Sequence, residues 1–401
     1  MTTQARIDPA SRTDRGRQAQ LAVVAAFVIN GLLFASWAAH IPGIKSDLGL
    51  SDGTLGLALI GTPIGSVSAM ALCSWLLPRV GSRPVVIVSL VGYALCGPLI
   101  GIVGSVAGLF VALMLWGAFQ GTLDVAMNTQ AIAVEHHQNR PLMNGFHAWW
   151  SVGAFLGAGI GAGAVATGVS LTPQLLVLAP PAIVIGVLLT LRMLPDAAPR
   201  DEVTPDPVPV GRRLSPAMLL LGAIAFASML CEGAAADWSS VYVRDSLDGG
   251  REAAGLAFTA FALAMVVVRI FGNRLLARFA IHRLLPALAL LASLAFSIGL
   301  AVGGVVLAVI AFFALGLGLG AVVPSAFSAA GRLPGLHPGV AVAVVSSLGW
   351  VGFVCGPPLI GQLAAATSLP AALIVVPVLM IFIALTSARV RVMRHVPEEA
   401  L

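Results

Sequence analysis

Stretches of about 20 predominantly apolar residues recur along almost the entire chain, and they constrain the fold more than any other feature. An α-helix crosses the hydrocarbon core of a bilayer in about 20 residues. Of the 401 residues, 58% are hydrophobic and only 10% are charged, and the mean hydropathy is +0.98. A soluble domain cannot cover its surface with that composition. Because the runs are too long for barrel strands, the sequence predicts an all-α integral membrane protein.

The apolar runs divide the chain into twelve predicted transmembrane helices, which we call spans 1 to 12 in chain order. The predicted spans cover residues 20–41, 54–77, 84–103, 106–134, 142–168, 171–194, 215–242, 253–276, 284–302, 304–330, 338–364 and 369–390. In each half of the chain, the loop after the first span is long and charged. This recurrence predicts two pseudo-symmetric six-helix bundles, residues 20–194 and 215–390.

The segments outside the bundles are polar. Residues 195–214 (PDAAPRDEVTPDPVPVGRRL) predict a semi-rigid, largely disordered cytoplasmic linker. Residues 1–19 are rich in arginine and lack the apolar core of a signal peptide, so we expect a cytoplasmic tail. A second cytoplasmic tail is expected at residues 391–401.

The placement of basic residues sets the expected orientation. If both termini are inside, the 22 Lys and Arg residues fall on the cytoplasmic side, apart from Lys45, Arg244 and Arg251 outside and Arg269 within span 8. The positive-inside rule therefore predicts a multi-pass protein of a bacterial plasma membrane with both termini cytoplasmic. This asymmetry accounts for the pI of about 9.6 without a nucleic-acid partner.

Motifs for catalysis, nucleotides or metals are missing from the sequence. It contains no Walker A, HExxH or GxSxG motif, and the glycines of LGLGLG (315–320) follow no predicted strand. The four cysteines lie within spans without metal-ligand spacing, so free thiols are expected. The sequence therefore predicts no enzyme, no cofactor and no metal site.

The loops after spans 2 and 8 share a basic pattern. They read SWLLPRVGSRPV from Ser74 and NRLLARFAIHRL from Asn273. Both resemble the Gly-x-Leu-x-Asp-Arg-x-Gly-x-Arg signature of the major facilitator superfamily, although Pro78 and Ala277 replace its aspartate. The resemblance implies a gating role for the residues that keep the signature, namely Arg79, Gly81, Arg83 and Arg278.

Further stretches narrow the resemblance. They are NGLLFASWAAHIPGIKSDLGLS (30–51), DVAMNTQAIAVE (124–135), CEGAAADWSSVYV (231–243), GLGLGAVVPSAFSAAGR (316–332) and LGWVGFVCGPPLIGQLA (348–364). These resemble the bacterial branch of the superfamily that is related to the proton-coupled fucose permease. The resemblance implies two six-helix bundles that rock around a central site, and it favours a sugar-like solute.

An aspartate lies in the middle of span 4, within FQGTLDVAMNTQ (119–130). Gln120, Asp124 and Asn128 are spaced four residues apart and share one helix face. An aspartate at a helix centre costs about 2.5–3.5 kcal/mol to insert, so a functional role is the default expectation. We expect Asp124 to take up and release a proton in a cavity that Gln120 and Asn128 also line. Hydrogen bonding between helices is the alternative.

Two further charges lie inside spans. Glu232, near the middle of span 7, is the second candidate for proton coupling, and a structural acid is the alternative. Arg269 is expected to snorkel or to form a structural ion pair, and pairing with Asp124 or Glu232 is the alternative. The resemblance implies coupling acids on the first and fourth spans. Asp124 matches the second of these, whereas Asn30 replaces the first.

Polar groups beside aromatic rings suggest a substrate cavity. A sugar presents hydroxyl groups and apolar faces, and a flat drug would also fit such a surface. Besides Gln120 and Asn128, the candidates are Asn30, Trp37, Asn144, His147, Trp150 and Trp350. Packing against lipid or other helices is the alternative for each tryptophan.

Together these features predict a secondary active transporter that works by alternating access. We expect it to act as a monomer, to be coupled to protons and to move a small organic solute, with sugar symport favoured. Proton-driven efflux of a drug or metabolite is the main alternative. A membrane sensor that does not transport is a remote one.

Overall fold

Twelve apolar helical segments are long enough to cross a bilayer in the part of the chain that the structure describes. The structure is a computed structural model, and it describes residues 9–140, 142–195, 215–278, 281–330, 332–333 and 338–389. Its regular elements there are helices. The predicted all-α membrane fold with twelve spans is confirmed.

The helices of the first half follow the predicted spans closely. Span 1 is Pro9–Ser36, continued by a 3₁₀ turn and the short helix Ile41–Asp47. The others are Asp52–Leu59 with Gly61–Val80 (span 2), Ser82–Cys96 with the 3₁₀ turn Gly97–Ile102 (span 3), Val106–Gln138 (span 4), Met143–Ala166 (span 5) and Leu171–Thr190 (span 6).

The second half repeats this arrangement. Its helices are Pro216–Val241 with the π-helical turn Tyr242–Ser246 (span 7), Leu256–Arg278 (span 8), Ile281–Val302 (span 9), Val305–Leu319 with Val322–Ala330 (span 10), Pro338–Ala366 (span 11), and Leu369–Ala372 with Val375–Arg389 (span 12). Span 1 begins inside the predicted first tail, whereas residues 1–8, 196–214 and 390–401 of the predicted tails and linker lie outside the described residues.

Close helix pairs relate the two halves to each other. Span 1 packs along span 5, and span 7 packs along span 11 in the same way. A Cβ atom at Gly157 of span 5 would lie 2.1 Å from the carbonyl oxygen of Leu32, and one at Gly352 of span 11 would lie 2.2 Å from that of Phe226. Small residues let helix backbones approach closely in membranes. The equivalent pairs support the pseudo-symmetry of the two bundles.

The two bundles meet near one end of the molecule, which we call the Lys45 end; the opposite end is the Arg83 end. Two seams join the bundles there, span 2 against span 11 and span 5 against span 8. A Cβ atom at Gly56 would lie 2.5 Å from the carbonyl oxygen of Pro357, and one at Gly255 would lie 2.5 Å from the Cβ of Ala162. The Lys45 end is therefore closed by backbone contact between the bundles.

Candidate functional site

A cavity lies between the bundles, beneath the closed Lys45 end. Its walls come from spans 1, 5, 7, 8 and 11. The aromatic residues that line it are Phe34, Trp150, Phe258, Phe261 and Phe353. Ser151 and Glu232 add a hydroxyl group and a carboxyl group from opposite bundles. Such a concave, mostly apolar surface with a few polar groups is typical of a small-molecule site.

The Trp150 ring is held in place from span 1. Its Nε1 donates a hydrogen bond to Oδ1 of Asn30 at 3.0 Å, and Asn30 is fully buried. Gly31 permits this approach, because a Cβ atom there would lie 2.2 Å from the carbonyl oxygen of Trp150. Asn30, where the resemblance would place an acid, therefore orients a ring of the cavity wall.

Arg269 reaches from span 8 of the second bundle to span 5 of the first. Its Nη1 donates a hydrogen bond to the hydroxyl of Ser151, and its Cζ lies 5.8 Å from the centre of the Trp150 ring. A guanidinium over a tryptophan face is attracted by the negative charge of the ring face. The side chain therefore turns into the protein and does not snorkel to the membrane surface.

Glu232 lines the cavity from span 7 and is half-buried. The charges of Glu232 and Arg269 are close enough to act on each other, and the Arg269 charge also reaches His147. Among the described residues, neither Glu232 nor Asp124 lies within ion-pair distance of Arg269, and of the two acids it is Glu232 whose charge acts on Arg269. The site therefore holds a carboxyl group on span 7 and a guanidinium group on span 8.

His147 marks the side of the cavity towards the Arg83 end. It lies one helical turn from Ser151 and packs its ring edge-on against Phe27, with the ring centres 5.3 Å apart. Its side chain is nevertheless exposed, although it lies between helices of the bundle. Because it lies one turn from Ser151, which lines the cavity, we infer that this exposed ring faces the space between the bundles on the Arg83 side.

The polar face of span 4 divides into two environments. Gln120 is buried and accepts a hydrogen bond from the Ser66 hydroxyl of span 2 at 3.0 Å. Asp124 and Asn128 are half-buried, and Nδ2 of Asn128 donates to the Asp124 backbone carbonyl at 2.8 Å and, at 3.4 Å, to its carboxylate. Gln120 therefore serves the packing of spans 2 and 4, and Asp124 has a partner on its own helix.

Comparison with known proteins identifies the family. A model of the Major Facilitator Superfamily matches residues 22–247 and 220–400. The chain belongs to the major facilitator superfamily. The members of this superfamily are transporters, so the predictions of a transporter and of a protein that is not an enzyme are confirmed.

The relatives of this transporter agree with that assignment. It is 33% identical over 376 residues to an uncharacterised transporter of the same superfamily from Yersinia pestis, covering 93% of this chain and 96% of the relative. It is 28% identical over 377 residues to the membrane protein MosC of Rhizobium meliloti, covering 94% and 91%.

Two solved structures share the fold. One is a point mutant of the nucleoside transporter NupG, with a TM-score of 0.72 and 12% identity over 94% of this chain and 100% of that chain. The other is a point mutant of the Escherichia coli fucose:proton symporter FucP, with a TM-score of 0.63 and 16% identity over 92% and 97%. At this identity the likeness concerns the fold alone.

The remaining cavity candidates of the transporter lie at different depths. Trp37 is 4% exposed and packs edge-on against Trp116 at 5.9 Å, inside the first bundle. Trp350 is half-buried and packs edge-on at 5.7 Å against Phe353, whose ring lines the cavity. The side chain of Asn144 lies outside the described part.

The gating-loop candidates lie at the Arg83 end. Gly81 separates spans 2 and 3 with a φ of 81°, a conformation that favours glycine. Arg79 stacks over the Trp75 ring at 4.2 Å, and Arg83 donates a hydrogen bond to the Leu191 carbonyl of span 6. The side chain of Arg278 is not part of the described structure.

Sequence reasoning missed the aromatic face of span 8. Phe258, Phe261 and Met265 line the cavity, and Arg269 follows one turn after Met265. Their spacing of three, four and four residues puts them on one helix face, so the pattern was present in the sequence. The sequence did not show which helices this face would pack against.

Proposed function

We propose that this transporter moves a small organic solute by proton-coupled secondary active transport with alternating access. The observation that carries the proposal is the cavity between the two bundles, which has Glu232 and Arg269 beside it. Transporters of this architecture expose a central site to each side of the membrane in turn by rocking one bundle against the other. The closed Lys45 end and the exposed His147 correspond to one of the two required conformations.

Glu232 is our first candidate for proton coupling. It lines the cavity, where a solute can compete with its proton. The charge of Arg269 attracts Glu232 only when Glu232 is ionised. Asp124 becomes the second candidate, because Asn128 on its own helix is its hydrogen-bond partner. FucP, which shares the fold, is a fucose:proton symporter, and this supports proton coupling here.

A sugar-like solute is our favoured cargo. The fixed indole of Trp150 offers an apolar surface for the C–H face of a sugar ring. Ser151 and Glu232 offer a hydroxyl group and a carboxylate for its hydroxyl groups. The sugar and nucleoside transporters among the structural neighbours agree with this choice.

Efflux of an amphipathic organic cation is the second candidate. Phe34, Phe258, Phe261 and Phe353 give the cavity a strongly apolar wall, and Glu232 would attract a positive charge. These rings match a drug-like body better than they match a sugar. The second candidate predicts export, whereas the first predicts uptake.

We further propose that the transporter acts as a monomer in a bacterial plasma membrane, with both termini and the Arg83 end in the cytoplasm. The proposal follows from the excess of Lys and Arg on that side. Its described conformation would then face inward.

A binding screen followed by transport tests the proposal. Purified protein is heated with a panel of hexoses, pentoses, nucleosides and amphipathic cations, and a ligand raises the unfolding temperature. The stabilising compound is then followed in proteoliposomes, both by counterflow and by uptake driven by a pH gradient. Counterflow without any response to the pH gradient would contradict proton coupling.

Two matched variants separate the acids. Glu232→Gln is expected to keep counterflow and to lose gradient-driven accumulation, because the amide binds solute without carrying a proton. Asp124→Asn is expected to keep at least half of both activities. Full accumulation by Glu232→Gln would remove the coupling role from Glu232, and loss of accumulation in Asp124→Asn alone would transfer that role to Asp124.

A further inference from the structure

Arg269 occupies the border of the cavity on its Arg83 side. The cavity wall on span 8 runs from Phe258 to Met265, and Arg269 lies one turn beyond it. On span 5, Ser151 and Trp150 mark the same border, and His147 lies exposed one turn further. The contact between Arg269 and Ser151 therefore lies between the cavity and the open space at His147.

The contact crosses between the bundles with side chains alone. Arg269 donates to the Ser151 hydroxyl and stacks near the Trp150 ring, whose own Nε1 is held by Asn30. At the Lys45 end, by contrast, backbone meets backbone at Gly56 and Gly255. A barrier made of one long side chain can open by a rotamer change, whereas the backbone seam opens only when the bundles rock.

The partners of Arg269 are also groups that a bound solute would use. Ser151, Trp150 and Glu232 line the cavity, and Arg269 contacts the first two from the Arg83 side. The titratable groups that face Arg269 are Glu232 on span 7 and His147 on span 5. Glu232 and Ser151 therefore compete for one guanidinium group.

We propose that Arg269 is a side-chain gate that closes the cavity towards the Arg83 end through Ser151 and Trp150. Movement of the guanidinium from Ser151 towards Glu232 opens the gate while the Lys45 end stays closed. A solute that binds the Ser151 hydroxyl displaces the guanidinium and so opens its own exit. This inference rests on the proposed transport function and assigns Arg269 a positioning role in solute release.

Cysteine alkylation tests the gate without a known solute. The four native cysteines are replaced by alanine or serine, and Ala262→Cys places a thiol inside the cavity. His147→Cys places a reference thiol on the open side of the gate. A water-soluble maleimide is added to purified protein, and the modification rate of each thiol is measured by mass spectrometry.

The gate predicts a specific pattern of rates. At position 262, Arg269→Ala is expected to raise the rate about tenfold, the factor that 1.4 kcal/mol of gate stability provides. Ser151→Ala is expected to raise it less, because the contact with Trp150 remains. At position 147 neither change is expected to raise the rate, and loss of the Arg269 charge can only lower it, because a nearby cation favours the reactive thiolate. Arg251→Gln removes an exposed arginine at the Lys45 end and is expected to leave both rates unchanged.

Two results would overturn the proposal. One is equal reactivity of positions 262 and 147 with Arg269 intact, and the other is an unchanged rate at position 262 after Arg269→Ala. If Arg269→Ala does not fold, Ser151→Ala and Arg269→Lys decide the question, since each weakens the contact with a smaller change. Failure of the proposed function would be seen separately, as absence of any gradient-driven or counterflow transport in proteoliposomes.

Discussion

The Lys45 end and the Arg83 end of this transporter differ in which helices their contacts join. At the Lys45 end, Nζ of Lys45 in the first bundle lies 2.5 Å from Oδ2 of Asp245 in the second. Nε2 of Gln362 on span 11 donates to the Gly53 carbonyl of span 2 at 3.2 Å. Together with the approach of Gly56 to Pro357, these contacts hold the two bundles together.

At the Arg83 end, several polar contacts of the described residues lie inside the first bundle. Arg83 joins span 3 to the Leu191 carbonyl, and Nε2 of Gln130 donates to the Ser82 hydroxyl at 2.7 Å and to the Leu194 carbonyl at 3.0 Å. Such contacts stiffen a bundle without fixing it to its partner. Contacts at the Lys45 end therefore hold this conformation closed, whereas contacts at the Arg83 end make the first bundle rigid.

Gly56→Leu is expected to have the largest effect on the closure of the Lys45 end. The new side chain would meet the Pro357 carbonyl, which leaves no space for a Cβ atom. Overpacking costs about 1–3 kcal/mol, and we expect a shift of about 5- to 150-fold towards the conformation open at the Lys45 end. Distances between spin labels at residues 51 and 251, which are exposed on opposite bundles, measure the shift.

Gly163→Leu is the matched control for that variant. Gly163 lies near the same end on span 5, and a Cβ atom there meets nothing within 4 Å. Its label distances should equal those of the unmodified transporter. Unchanged distances in Gly56→Leu would mean that the seam between spans 2 and 11 does not decide closure.

A smaller effect is expected from Lys45→Gln. The change removes the ion pair between the bundles, together with the pair of Lys45 and Asp52 at 2.6 Å. Partly exposed ion pairs contribute about 0.2–1 kcal/mol, so the ratio of closed to open protein should fall by roughly fivefold at most. High salt should produce a similar shift in the unmodified protein and none in the variant. If the salt response persists in Lys45→Gln, other charges must cause it.

The smallest effect on closure is expected from Gln130→Ala. Loss of this buried amide removes two hydrogen bonds at the Arg83 end and should lower the free energy of unfolding by about 1–3 kcal/mol. The label distances at the Lys45 end should not change, because the contact lies within one bundle. Thermal unfolding measures the first outcome. Altered label distances would show that the two ends are not independent.

Much of the fold could be predicted because the lipid environment constrains each membrane-spanning helix separately. Each span must satisfy its own backbone and present apolar side chains, so the start of span 4 at residue 106 and of span 11 at residue 338 follow from composition. The candidate site was harder to predict. Spacing showed that Gln120 and Asp124 share a face, but it could not show that Gln120 meets Ser66 of span 2.

Arg269 shows the same limit more clearly. A long basic side chain near a helix end either snorkels or turns inward, and its own sequence surroundings fit both outcomes. The decision came from Ser151 and Trp150, which lie 118 and 119 positions away in the chain. Asn30 was also uninformative in sequence, because its role depends on the indole that it holds.

Twelve membrane-spanning helices in two related halves could be read from the amino-acid sequence, since hydropathy and spacing are properties of each helix alone. The sequence also restricted the ionisable groups within the spans to a few positions, Asp124, Glu232 and Arg269 among them. Which of these groups lie together became clear from the packing of the helices. The cavity, the gate at Arg269 and the closure at Lys45 all depend on contacts between helices far apart in the chain.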